Sequence, residues 1–465
     1  MSSDNTKQFN ELGEKPVGKL LLQYSIPSII AMLASSIYNI IDGIFIGQGV
    51  GAEAIIALAL VNPIMNLTAA FGAMVGVGGS TLMSVRLGQK DYKTAQDILG
   101  NVVFLNFVVG VGLGGLLFIF LDPILRAFGA SDATIGPAHD FMAIYLLGNV
   151  IPHMYLGLNN LLRSTNRPKL SMYATIGTVV LNCVFAPLFI FVFKWGIRGA
   201  ALATVLAQLC VLCWQIKLFS NKNDLVHFHR GMFHIRLSII KQSLLIGLPQ
   251  FLINLCACLV AIVITRSLTY FGAQTALGGD IEVGSYGVAN RLIIFVIMVV
   301  IGLNQGMQPI AGYNFGAQKY DRLLQVLKKA MLYATVFTTT GCVVCLIFAE
   351  PLVSLFAKNS PALVQESARG LRIMICTFPL VGLQVISTAF FQSIGYAGKS
   401  IFLSLSRQLL FLLPLLLILP HVFSNPVDGV WYAMPASDVV AFIVAVVMQV
   451  IQVRKFKQLI QASHV

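Results

Sequence analysis

The sequence predicts an all-α polytopic membrane protein: twelve transmembrane helices in two pseudo-symmetric six-helix bundles. Three observations lead there. Of the 465 residues 57% are hydrophobic and only 11% are charged, less than half the charged share of about 25% found in soluble domains. The chain divides into apolar runs bounded by glycine, proline and charged clusters, and its second half repeats motifs of the first in the same order.

Lipid offers no hydrogen bonds to the backbone, so a spanning segment must be a helix or part of a closed barrel. Apolar runs of about 20 residues suit helices, whereas barrel strands would alternate polar and apolar residues over about ten positions. Spans are expected near 20–46, 54–80, 96–120, 139–162, 170–194, 198–219, 239–269, 283–312, 325–349, 367–391, 401–423 and 430–453. They group into an N-lobe over 20–219 and a C-lobe over 239–453. A polar N-terminal segment (1–19), a polar, basic linker (220–238) and a C-terminal tail (454–465) flank them.

The repeat is read from paired motifs. "RLGQKDYKTAQDIL" at 86–99 resembles "NFGAQKYDRLLQVL" at 314–327, pairing Gly88 with Gly316. At nearly constant separation Pro27 pairs with Pro249, Phe128 with Phe356, Pro152 with Pro379 and Ser164 with Ser393. Five matches in one order point to a six-helix repeat. Six is even, so both halves insert the same way round, about a pseudo-twofold axis along the membrane normal, with a central cleft between them.

The net charge of +13 is a matter of topology rather than of nucleic-acid binding. Most of the Lys and Arg fall in the N-terminal segment, the even-numbered loops and the C-terminus, so both termini are expected in the cytoplasm. Residues 1–19 read as a retained segment, because the apolar run after them is too long for a signal peptide and lacks a cleavage site. All eight cysteines sit within apolar segments and read as packing residues, including the two CxxC pairs. His227, His229 and His234 read as part of a solvated linker rather than a metal tract, since no acidic or cysteine ligands accompany them. No P-loop, GxSxG elbow or HExxH motif is present, so the sequence gives no sign of an enzyme, and any work the chain does across the membrane would draw on an ion gradient or a partner. "GVGGS" at 76–80 reads as a site of close helix packing.

Two carboxylates fall clearly within apolar segments, Asp42 and Asp438. Such a group is costly in lipid and needs a partner or a watery cavity. Ser35, Tyr38, Asn39 and Asp42 recur at helical spacing, which places them on one stripe of the first helix. A carboxylate on such a stripe can take up a proton or bind Na⁺ with help from neutral oxygens; no other metal is expected. Asp438 is a possible second-lobe acid, with Asn254, Asn304, Gln305, Gln308 and Gln384 as candidate partners. Pro27 and Pro249 each interrupt the hydrogen-bond ladder of a helix and are candidate hinges. Met32, Met65, Met154 and Met298 suit a promiscuous pocket or ordinary packing. Ser35, Asn62, Met65, Asn66, Tyr155 and Asn159 are candidate cleft residues by helical position.

"LLLQYSIPSIIAMLASSIYNIIDGIFIGQGVG" in the first span, "GVGGSTLMSVRLGQKDYKTA" after the second, and "LNCVFAPLFIF" with "GIRGAALAT" in the fifth and sixth are similar to the multidrug and toxic compound extrusion (MATE) family, in its bacterial drug-exporter branch. The resemblance covers about 20–455. It implies the MATE fold and secondary active export of amphipathic, often cationic drugs in exchange for H⁺ or Na⁺, through alternating access of two lobes. It also implies a monomer in the bacterial inner membrane, with no cofactor. In the family a first-helix Asp is central to an N-lobe ion site, and Asp42 matches it. The family's fifth-helix Asn and sixth-helix Thr match Asn182 and Thr204. Where relatives often carry a second Asp, this chain has Ala186, and a single carboxylate favours H⁺, which neutralises it completely. A lipid-linked precursor flippase on the same scaffold is the alternative; it calls for basic residues in the cleft.

Overall fold

The computed structural model describes residues 11–128, 130–132, 134–229, 231, 234–356 and 360–463. Residues 1–10 of the expected N-terminal segment and 464–465 of the expected tail lie outside the described residues. Ten helices among them are long and apolar enough to cross a membrane, and two bent helix pairs bring the number to twelve. In chain order the spans are Val17–Gly49, Ala52–Gly88, Tyr92–Ile119, the pair Ile135–Leu147 and Val150–Ser164, Pro168–Pro187, Gly196–Phe219, Leu237–Gly272, Gly279–Gly316, Tyr320–Ile347, the pair Pro361–Ile375 and Phe378–Ser393, Ala397–Val422, and Pro426–Ser463. They are called spans 1 to 12 below. Large apolar side chains such as Ile119, Leu147, Leu237 and Val422 stay exposed, as expected where lipid is the solvent.

Two spans differ from the unbroken runs that hydropathy suggests. Span 4 bends by 55° and span 10 by 52°, just before Pro152 and Pro379. A proline ring clashes with the carbonyl four residues back and offers no N–H to it. Pro27 and Pro249, the candidate hinges, lie inside helices that the backbone continues without a break. Span 12 runs on to Ser463, so residues 454–463 continue a helix rather than form a separate tail.

The repeat reaches into the backbone. Lys90 (φ 60°) and Gln318 (φ 57°) hold left-handed conformations at equivalent turns, as do Asn166 (φ 63°) and Gly395 (φ 79°). Short helices at Leu121–Ala127 and Ala349–Ser354 follow spans 3 and 9 alike.

The lobes meet through glycines. A Cβ on Gly78 of span 2 would lie 1.8 Å from the Ser243 carbonyl oxygen of span 7, and one on Gly247 would lie 1.8 Å from that of Met74. Gly88 and Gly316 make the same approach between spans 2 and 8, and Gly302 and Gly306 between spans 8 and 1. All of these contacts fall in the half nearer the linker. There Asn314 and Arg322 of the C-lobe also donate to the Leu12 carbonyl, and Lys319 to that of Gly13.

The linker is anchored at its middle, while most of its described residues, His229 and His234 among them, stay exposed as expected. Val226 is buried, the Phe228 amide donates to the Phe219 carbonyl at 2.7 Å, and Arg236 pairs with Asp97 at 3.0 Å. The reason is composition: Leu225, Val226 and Phe228 interleave with the polar residues and pack against the main core.

Candidate ion and substrate sites

Spans 1, 5 and 6 bring together four of the candidate N-lobe residues. Asn182, 1% exposed, donates through Nδ2 to the Tyr38 hydroxyl and, at 3.1 Å, to Thr204 Oγ1. The Tyr38 hydroxyl also faces the Asp42 carboxylate one turn on. Asp42 Oδ1 and Asn182 Oδ1 are both buried with no hydrogen-bond partner among the described residues. Two oxygens are therefore left to receive a proton or a small hard cation. Ala186, one turn beyond Asn182, is fully buried among apolar neighbours, so an alanine methyl takes the place of a second carboxylate. Asn39 does not join the cluster: it is exposed, because one residue along a helix turns the side chain by about 100° away from Tyr38.

Asp438 is 5% exposed, and its partners are not among those expected. Arg407 Nε donates to Oδ1 at 2.9 Å and Thr377 Oγ1 to Oδ2 at 3.1 Å. Arg407 lies in a π-helical turn, Ser406–Leu412, within span 11. Such a turn holds an extra residue and shifts the facing of the helix, which regular spacing does not anticipate.

Between the lobes lies a cavity of about 490 Å³. Ser35, Tyr155 and Asn159 line it, as does Met32. Asn62 and Asn66 are exposed on span 2, outside the cavity wall itself but on the same helical stripe as Ala73 and Val77, which line it. Met65 instead packs against the N-lobe core, and Met154 against the main core. Hydropathy reports depth well and rotation about the helix axis poorly. Most of the remaining polar wall is carboxamide, with Gln250, Asn304, Gln305, Gln384 and Gln408 facing the space. Gln308 also lines the cavity and bridges the lobes, donating to Ser80 Oγ at 3.0 Å and Thr81 Oγ1 at 2.6 Å.

Four further groups escaped sequence reasoning. Arg163 and Arg407 line the cavity, although Arg407 reads as a span-edge cation and Arg163 as part of a repeat motif. Glu282 and Glu366, 2% and 6% exposed, are buried near the start of spans 8 and 10, where they read as loop-end residues. Glu366 pairs with Arg369 at 2.9 Å. The run of glutamines through spans 7, 8, 10 and 11 was the available signal for the polar wall.

The MatE family matches residues 27–188 and 249–418, one segment in each lobe. The chain is 26% identical over 431 residues to "Multidrug export protein MepA" of Staphylococcus haemolyticus, covering 92% of this chain and 93% of that one. It is 25% identical over 410 residues to the protein of the same name from Staphylococcus aureus, covering 88% and 89%. Among solved structures, a MATE protein in complex with MaL6 superposes with a TM-score of 0.91 at 24% identity, over 98% of this chain and all of that one. An outward-facing multidrug resistance MATE transporter gives 0.90 at 23%, with the same coverage; both show the shared fold. With its two matched segments together covering most of the sequence, one in each six-span lobe, the chain belongs to the MatE family.

Proposed function

We propose that this chain is a secondary multidrug exporter of the bacterial inner membrane that moves amphipathic compounds outward in exchange for H⁺. The names of its staphylococcal relatives support drug export. The observation that carries the coupling is the pair of buried, unpartnered oxygens on Asp42 and Asn182. A carboxylate surrounded by neutral groups must be neutralised within the bilayer, and a proton does this with one carboxylate. Na⁺ is the alternative ion, with Tyr38, Asn182 and Thr204 as neutral ligands.

Transport then follows an alternating-access cycle. The lobes part along the glycine seam, Pro27 and Pro249 absorb bending in spans 1 and 7, and ion and drug favour different states, so that each lowers the affinity for the other. One copy holds both lobes and the cavity, so the monomer suffices. Both termini and the linker lie in the cytoplasm, and no cofactor or enzymatic step is needed. Purified protein in proteoliposomes tests the reading: dye movement follows an imposed H⁺ gradient and ignores a Na⁺ gradient. Movement driven by Na⁺ alone replaces the ion, and movement driven by neither removes the antiport.

The placement of Arg163 and Arg407 at the cavity favours a second reading, a flippase for an anionic lipid-linked precursor. Translocation of such a lipid without any dye transport would select it.

A further inference from the structure

We propose that the central cavity selects amphipathic organic anions, with the anionic group held between Arg163 of the N-lobe and Arg407 of the C-lobe. This rests on the transport reading and names its substrate class.

The cavity wall carries two charged side chains among the described residues, Arg163 and Arg407, and no carboxylate. Each lobe supplies one. Arg163 is 6% exposed, and its guanidinium donates to Ser171 Oγ at 3.1 Å and to Asn160 Oδ1. Both partners are neutral, so no ion pair balances its charge among the described residues. Arg407 spends only Nε on Asp438, and a quarter of its side chain (26%) stays accessible beside an almost fully buried carboxylate. Asp438 stands behind it and is absent from the wall. The two arginines and one aspartate thus leave a net positive charge at a water-poor site, where charges act strongly.

A structural duty alone does not account for Arg163. The equivalent position in the C-lobe holds Gln392, which donates to the Ile246 carbonyl of span 7 at 3.0 Å. A carboxamide therefore suffices for that place in the fold, and the arginine adds charge. The rest of the wall suits the other parts of such a ligand. Ile253, Ile297 and Ile301 offer apolar surface. The side-chain oxygens of Asn304, Gln305, Gln384 and Gln408 are buried without partners and favour a ligand that also carries hydroxyl or N–H donors. A cation placed here would meet like charge, with no acid on the wall to receive it.

Two dyes sharing one xanthene ring decide the matter: sulforhodamine B, a net anion, and rhodamine 6G, a cation. Fluorescence titration of the purified full chain in detergent should show sulforhodamine B binding at least ten-fold more tightly. Arg163→Gln, which installs the residue of the other lobe, should weaken sulforhodamine B ten-fold or more and leave rhodamine 6G no weaker. Asp438→Asn frees Arg407 and should tighten the anion, a change in the direction that misfolding cannot produce. The double variant R407Q/D438N keeps the pair neutral and should weaken it again. Tighter binding of rhodamine 6G, or sulforhodamine B affinity unchanged across these variants, overturns the proposal.

Proteoliposomes separate this failure from that of the transport reading. Gradient-driven movement of rhodamine 6G alone removes the anion preference and leaves transport standing. Movement of neither dye removes drug transport, while the titration still decides the anion site. Competition by phosphatidylglycerol, with translocation of its fluorescent analogue, would identify the anion as a lipid headgroup; failure to compete identifies a free organic anion. Both of these keep the arginine pair as the binding site.

Discussion

In the N-lobe, Asp42 faces Tyr38, which Asn182 links to Thr204, all of them neutral, and one carboxylate oxygen has no partner among the described residues. In the C-lobe, Asp438 is held by an arginine and a threonine, with both oxygens bonded. The two lobes share one plan of six spans, down to left-handed turns at equivalent residues, yet they neutralise their buried acids in different ways. One acid carries its counter-charge within the protein; the other must take it from outside. This contrast is the ground for proposing ion coupling in the N-lobe, with the C-lobe acid as a partner of the cavity arginine.

The largest effect expected from breaking this contrast is on stability. Arg407→Ala leaves Asp438 as a buried charge without a cation, which should cost about 3–5 kcal/mol. Thermal unfolding in detergent should register it, and the apolar double variant R407M/D438L should recover most of the loss. If the single variant unfolds with the wild type, Asp438 is not held as a charged partner.

The seam between the lobes comes next. Gly78→Ala sets a methyl 1.8 Å from the Ser243 oxygen, so the linker-side contact cannot close and dye efflux should fall ten-fold or more. Gly112 of span 3 meets nothing within 4 Å. Gly112→Ala should keep wild-type efflux and gain up to about 1 kcal/mol of helix stability. Equal behaviour of the two variants would remove the seam from the transport cycle.

The smallest effect concerns a cap that one lobe has and the other lacks. Asp91 accepts from the Thr94 amide at 3.1 Å at the start of span 3, whereas Lys319 begins span 9 with no side-chain cap. Asp91→Ala should cost about 1 kcal/mol locally, read as faster amide exchange over the first turn of span 3. Above all, the Thr94 hydrogen bonds hold the Asp91 carboxyl below its ordinary range. The cap is then fully present above the unfolded pKa and lost as pH falls through the lower, folded value. The first turn of span 9 holds Asp321 but no side-chain cap bond, so its pH dependence should be the weaker of the two.

These contrasts also mark how far the sequence could be read. Twelve apolar runs and the order of the repeat were legible because lipid imposes length and composition on every span. The bends were not, since hydropathy carries no angle, although the pairing of Pro152 with Pro379 marked both places. The cluster of Tyr38, Asp42, Asn182 and Thr204 was legible because spacing joined the first two and family motifs matched the last three. Asn39, Asn62, Asn66 and Met65 were placed by spacing alone: the three asparagines share stripes with cavity-lining residues yet stay exposed, and Met65 turns into the N-lobe core. The partner of Asp438 was hidden by the π-turn at Ser406–Leu412, which changes the phase of span 11 just where Arg407 sits.

Proton release is the most direct test of coupling at Asp42. Purified protein in weakly buffered detergent, followed with a pH indicator, should release protons when saturated with whichever of sulforhodamine B or rhodamine 6G it binds. Asp42→Asn should bind the dye and release none. Equal release from Asp42→Asn and the wild type would contradict the account, because the proton would then come from another group.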